Sequence, residues 1–408
     1  MQPGSLDSRR ALRRQRSAEA LRHPARVRVD CLCDEPAFAA LAMDWNRLHG
    51  ETASASVFNS WLWQYHWWKV YGRGQPLRLL VARRDDLVVG ILALYVHAER
   101  VLGRAVAVLR PVGTGADTNP DDLGPVLAAA HDHDAARALA RAAARLPDGD
   151  LLLVSDLDPD TAFAEELELA ARRERRFVGV GRTERIAYIE LPRTWEDYLA
   201  SLSANRRADI RRARRRLSAA HAAGFFVWDD AAHIDEAASQ LADLHRRRWA
   251  ASGGSESFAT PQYIEFHRAI IRSSFGRGWL RLYCLEIDGA MAAMLYCYRF
   301  RNRVFLMQGG FDPAWSAWKP GTVVLSHAIE DAIAEGNEVF DFLRGEHRYK
   351  DGLANGERET IYIAAFRPSL GGLLFAARPP YVPMRRNSLR AAAGRTLRRL
   401  LRLPPHLP

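Results

Sequence analysis

Apolar residues recur along this chain in two alternating periods, and the switches between them mark out its elements. Phe58, Trp61, Leu62, Tyr65 and Trp68 share one helical face, which predicts an amphipathic helix over 58–71 with an aromatic, core-facing stripe. Two apolar runs, 77–82 and 87–96, flank Arg83-Arg84-Asp85-Asp86 and read as a hairpin. A strand at 105–109, a loop over 111–125 rich in Gly, Asp and Pro, a helix at 132–145, a strand at 151–155 and a helix at 161–173 follow.

The same kind of order then returns. A strand at 186–191 leads to helices at 195–201 and 205–222, a strand at 225–228, and helices at 234–250 and 261–274. A hairpin, 280–287 with 290–300, turns on Asp288-Gly289. Next come a strand at 304–307 ended by a Gly-Gly break, a helix at 322–335 and a strand at 338–342. Alternation of this sort predicts a mixed α/β sheet with helices on its faces, in two units. The expected boundaries are a disordered basic arm over 1–25, an N-terminal domain over 26–185, a C-terminal domain over 186–370 and a basic tail over 371–408.

Composition narrows the picture. With 408 residues, 48% of them hydrophobic, the chain can bury substantial cores. No apolar run approaches the roughly 20 residues needed to span a bilayer, and the expected location is the cytoplasm. Four cysteines at 31, 33, 284 and 297 lack zinc spacing and read as reduced packing residues, so no metal is expected. The net charge of +10 is concentrated in arginines at 9–28, 206–216 and 385–402, which favours phosphates, nucleic acid or anionic lipid without choosing among them. In the tail, Leu389, Ala393, Leu397, Leu400 and Leu401 share a helical face beside Arg390, Arg395, Arg398, Arg399 and Arg402. Such a helix suits an anionic membrane surface or a partner, and equally suits packing back on the domain.

Chemistry-bearing residues cluster between 303 and 351. A strand that turns through Trp318-Lys319-Pro320-Gly321 into a helix leaves unpaired N–H groups at the helix start, a place for an anion near Lys319, Gly321 and Thr322. Pro320 withholds one donor and equally fits the first turn of any helix. A second strand end carries Asp341 and the polar run Leu343-Arg344-Gly345-Glu346-His347-Arg348-Tyr349-Lys350-Asp351, which offers bases, acids and charge stabilisers for acyl transfer, or plain surface salt bridges. The helix from Asn205 to Leu217 sets Arg206, Arg207, Arg211, Arg212, Arg214, Arg215 and Arg216 against Asp209 alone, a pattern that favours a phosphate-bearing partner over a solvated face. Trp249 offers a platform for a sugar or base, or a core residue.

The order of these residues resembles the FemAB-like and CelD-like branch of the GNAT acyltransferase superfamily. Pro320-Gly321, Asp341-Phe342, Gly345-Glu346, Tyr349-Lys350, and upstream Asn205-Arg206-Arg207 with Ile210-Arg211-Arg212 carry the likeness, over roughly 194–363. The resemblance implies two tandem GNAT-like domains with the active site in the second. It implies acyl-CoA (acetyl-CoA) as co-substrate at Lys319, Gly321 and Thr322, and catalytic roles for Asp341, Glu346, Tyr349 and Lys350, the last stabilising charge at the reacting centre. Arg206, Arg207, Arg211, Arg344 and Trp249 are the expected acceptor or partner contacts. The expected acceptor is an amine or hydroxyl of a sugar-linked molecule in envelope or exopolysaccharide synthesis. Two alternatives stay open: an aminoacyl-tRNA donor, and a non-catalytic protein binding nucleotide or lipid-linked sugar.

Overall fold

The computed structural model describes residues 27–101, 103–128, 133–250, 255, 257–345, 350 and 352–369. The expected arm and tail lie outside them. In the N-terminal half, β1 (Arg28–Leu32) leads through α1 (Glu35–Ala40), α2 (Ala42–Glu51) and α3 (Trp61–Tyr71) to β2 (Leu77–Arg84), β3 (Leu87–Val101) and β4 (Arg104–Pro111). The short β5 (Val126–Leu127), α4 (His133–Arg145), β6 (Leu151–Leu157), α5 (Ala162–Arg173) and β7 (Phe177–Glu190) complete it. The C-terminal half holds α6 (Trp195–Ser201), α7 (Ala204–Ala220), β8 (Ala223–Val227), α8 (Ile234–Ala250), α9 (Pro261–Gly276), β9 (Leu280–Ile287), β10 (Ala290–Phe300) and β11 (Arg303–Phe311). A 3-10 turn (Pro313–Trp318), α10 (Pro320–Ala334), β12 (Val339–Asp341) and β13 (Gly356–Phe366) follow.

These strands form one mixed sheet in the order β1-β2-β3-β4-β6-β13-β7-β12-β11-β10-β9-β8, with β5 beside β3. Each half repeats three antiparallel strands, a crossover helix and a parallel strand: β2-β3-β4-α4-β6 and β9-β10-β11-α10-β12. The last strands are exchanged. β13 from the C-terminal half lies between β6 and β7, and β7 lies between β13 and β12. β7 and β13 pair from Gly356↔Tyr188 to Phe366↔Phe177, so the sheet runs unbroken through both halves.

Sequence periodicity missed β13, the first half of β7, β1, α1 and α2. In β7 the apolar alternation is broken by Gly179, Gly181 and arginines; Arg182 pairs across the ladder with Glu359 at 2.8 Å, and Arg185 pairs with Glu357. Gly181 makes room for the Tyr362 ring, which a Cβ would meet at 2.7 Å.

The Gly-Gly break is also corrected: β11 continues through Gly309 and Gly310 to Phe311. A Cβ on Gly310 would lie 2.3 Å from the His245 backbone nitrogen, so the glycine lets α8 lie directly on the strand. Helices α3, α8 and α9 cover one face in a core that crosses both halves, where Trp63 packs edge-on to Phe266 with ring centres 4.9 Å apart. The aromatic stripe of 58–71 is thus core. Helices α6, α7 and α10 cover the other face of the C-terminal half, and α4 and α5 that of the N-terminal half. Among the described residues no helix is long and apolar enough to cross a membrane.

Candidate active site

β12 pairs with β11 only through Arg303, Val304 and Phe305. From Leu306 to Phe311 that edge of β11 has no neighbouring strand among the described residues, and a cavity of about 410 Å³ opens there. Its mouth is the start of α10. The 3-10 turn delivers Lys319 in the left-handed region (φ 54), where its carbonyl accepts from the backbone N–H of Thr322 at 3.0 Å and of Val323 at 3.1 Å. Pro320 takes the first helical position, which needs no donor, and Gly321 the second, whose N–H has no intrahelical acceptor. A Cβ on Gly321 would meet only the Phe311 ring, at 3.5 Å.

Cations ring this mouth. Lys319 Nζ donates to Asp209 at 2.6 Å and ties α7 to the turn. The Arg206 guanidinium lies on Gly352, where a Cβ would sit 2.4 Å from Nη2. Arg248 donates to the Gly309 carbonyl at 3.3 Å and lies over the Phe311 ring at 5.5 Å. Sequence reasoning did not select Arg248, because it ends the run Arg246-Arg247-Arg248 and nothing local marks which of the three reaches the cavity.

The remaining arginines of α7 divide into two groups. Arg207 donates to the carbonyls of Leu199 and Ala200, both at 3.2 Å. Arg214 reaches Ser326 at 2.8 Å and Glu330 at 2.6 Å and lies over Trp195, while Arg216 lies over Trp318. By contrast Arg211, Arg212 and Arg215 are exposed, with no carboxylate partner among the described residues. Trp249 is half-buried beside His245 under the Arg248 guanidinium and does not line the cavity.

Asp341, Arg344 and Lys350 meet at a second place, where the two halves join. Lys350, 4% exposed, donates through Nζ to the carbonyls of Phe342, Leu343, Arg344 and Gly345 at 3.0, 3.0, 3.1 and 2.8 Å. That loop needs such a clamp, since Leu343 (φ 51) and Gly345 (φ 105) both turn left-handed. Asp341 is fully buried; its Oδ1 accepts from the Leu343 N–H at 2.8 Å and its Oδ2 from Arg358 Nε at 3.1 Å. Arg358 also forks onto both Asp122 oxygens, at 2.8 and 3.0 Å. Arg344, expected to contact substrate, is instead held by the N-terminal half: its Nη2 donates to Asp156 at 3.0 Å and Glu184 at 3.1 Å, and its backbone N–H to Asp121 at 3.1 Å.

Burial pushes the Asp121 carboxyl up to about 7, with Arg344 pulling it back and the like charge of Asp156 adding to the rise. Burial likewise lifts Asp122 to about 6 against the pull of Arg358, and raises Asp156. Asp121, Asp122, Asp156 and Arg358 were not among the site residues expected from sequence: Asp121 and Asp122 sit in a loop that reads as turn chemistry, Asp156 at the end of β6, and Arg358 in a strand that went unseen. Glu346 and Tyr349 lie outside the described residues. Lys350 borders the cavity indirectly, because its carbonyl accepts from the N–H of the cavity-lining Leu353 at 2.9 Å. A second cavity of about 320 Å³ lies in the N-terminal half, by Thr52, Asp122 and Thr161. Among the described residues no group of three or more His, Cys, Asp or Glu side chains is placed to hold a metal ion.

Comparison with known proteins bears on the fold and on the C-terminal half. Residues 204–351 match the family described as an acetyltransferase (GNAT) domain. The chain is similar in fold to the crystal structure of FemX, at 11% identity with a TM-score of 0.56, covering 79% of this chain and 95% of that one. It is also similar to a conserved protein of unknown function from Bacteroides thetaiotaomicron, at 14% identity, TM-score 0.51, 83% and 100% coverage. A third likeness is to the C-terminal domain of a putative lysylphosphatidylglycerol synthetase from Agrobacterium fabrum, at 10% identity, TM-score 0.50, 84% and 95% coverage. No curated protein matches the chain. The chain thus carries a GNAT acyltransferase domain in its C-terminal half, within a mixed α/β fold.

Proposed function

We propose that the cavity at the start of α10 holds the acyl donor, and that the protein moves an acyl group from acyl-CoA to an amine or hydroxyl of a sugar-linked acceptor. The observation that carries this is the open edge of β11 running into a helix start that pairs an unhindered Gly321 with Arg206, Arg248 and Lys319. Phosphate oxygens suit such a place, because unpaired N–H groups and flanking cations both favour negative charge. These residues would hold the anionic end of CoA, which supplies the acyl group as an activated thioester. Backbone N–H groups on the free edge of β11 are positioned to polarise a carbonyl laid along it.

Among the described residues the N-terminal half shows no equivalent free edge at β4. Its loop 112–125 fills that place, with Leu123 buried and the Asp122 N–H donating to the Asp156 carbonyl at 2.8 Å. One donor site per chain is therefore expected. Catalytic roles for Glu346 and Tyr349 rest on the sequence resemblance, and Lys350 and Asp341 act as positioning residues that fix the loop at 342–345. The sugar-linked acceptor and a role in envelope or exopolysaccharide synthesis rest on the same resemblance.

A second reading replaces acyl-CoA with aminoacyl-tRNA. Arg211, Arg212 and Arg215 favour it: they are exposed, have no carboxylate partner among the described residues, and stand on the helix that brings Arg206 and Asp209 to the cavity, where a polyanionic donor would gain from them. Titration of the full chain with acetyl-CoA and with aminoacyl-tRNA separates the two. CoA binding lost in Arg206→Ala supports the first reading; salt-sensitive tRNA binding without CoA binding supports the second; binding of neither sinks both.

A further inference from the structure

Behind its charged mouth, the donor cavity changes character. Its walls between α7, α10 and the sheet are Ile210, Leu295, Leu306, Val324, Ile329 and Leu353, each under 10% exposed. Of the hydroxyl side chains that line the cavity, Ser316 and Thr322 belong to the turn and the first turn of α10 at the mouth, and Ser326 is already engaged: its Oγ accepts from Arg214 Nε at 2.8 Å and donates to the Val323 carbonyl at 2.8 Å. The carboxylate at the mouth, Asp209, is occupied by Lys319. An ammonium or sugar hydroxyl pushed into this interior would therefore lose its hydration with no partner to replace it.

The cavity of about 410 Å³ takes in the charged mouth as well as this interior, so its volume sets only an upper limit on the occupant, and the buried apolar walls are what select it. An apolar-walled interior gains most from an apolar occupant.

We infer that the acyl group this enzyme takes is an apolar chain substantially longer than acetyl, received between α7 and α10, with Leu295, Leu306 and Leu353 setting its length. The inference rests on the donor reading above. Carried as a thioester, the chain would be transferred with the ordinary balance of acyl transfer: the carbonyl carbon bonds to the acceptor nitrogen or oxygen, the carbon–sulfur bond breaks, and the acceptor's proton ends on the thiol.

The test is isothermal titration of the full chain with CoA, acetyl-CoA, butyryl-CoA, octanoyl-CoA and decanoyl-CoA. Affinity should rise with chain length, with octanoyl-CoA at least about tenfold tighter than acetyl-CoA, since each buried methylene adds to binding. Leu353→Trp fills the space from its rim and should abolish that preference; Leu306→Phe serves the same purpose should the first variant fail to fold, as judged by melting. Equal affinity for acetyl-CoA and octanoyl-CoA would overturn the inference while leaving the donor site in place. Failure of every thioester, and of CoA itself, would overturn the donor site as well.

Discussion

Lys350 shows how a single ammonium shapes a loop. Four carbonyls converge on it, so its removal leaves buried acceptors without a donor at about 1–3 kcal/mol each where water cannot replace it. Lys350→Met should lower the melting temperature by several degrees and reduce turnover at least about tenfold, with donor affinity little changed; kcat and Kd measured beside a melt would show it, and unaltered kcat would remove Lys350 from the active-site loop. Asp121 makes a different prediction. Its folded value near 7 lies above the unfolded 3.8, so between these pH values the folded chain keeps a proton that the unfolded chain has lost. The stability from this group is full below about pH 3.8, is lost as pH rises to about 7 and is flat beyond. Asp121→Asn should flatten the fall in melting temperature between pH 5 and 7, and an undiminished slope would contradict the assignment. Asp341 and Lys350 were legible as part of a polar run after a strand. Asp341's partner Arg358 was not, because a half-buried arginine in a sheet looks like any exposed one until the strand beside it is known.

At the scale of elements, periodicity located most of the helices and hairpins, with ends that coincide at 195–201 and 234–250 and differ by a few residues elsewhere, as at 205–222 against Ala204–Ala220. It failed where the two halves exchange strands: β7 and β13 show mixed faces, and each lies between two strands of the other half. The arginines of α7 were legible as an unusual charge pattern, but their division into engaged and free members depends on Trp195, Trp318 and Glu330, which are distant in sequence. Arg211→Glu with Arg212→Glu should leave the unfolding free energy within about 0.5 kcal/mol of the parent, since both are exposed. If a polyanionic donor or partner lies along α7, the pair should also weaken its binding and flatten the salt dependence, because fewer counterions are displaced. Unfolding of this variant would contradict the exposed placement.

The whole molecule is two similar units sharing one sheet, fastened by Arg344 and Arg358 onto Asp121, Asp122 and Asp156. Removing one partner of such a buried network is costly, about 3–5 kcal/mol. Arg358→Met should therefore lower the melting temperature sharply and lower turnover, because Asp341 and the loop it orients lose their anchor in β13. A variant as stable as the parent would show that the clasp contributes nothing. The central claim, that one acyl donor sits on the open edge of β11 at the start of α10, is tested most directly by amide hydrogen exchange of the full chain with and without acetyl-CoA. Protection should appear in 306–311 and 319–324, with none near Thr52, 111–125 or 157–163. Protection confined to that N-terminal group, or no protection anywhere at saturating acetyl-CoA, would contradict the account.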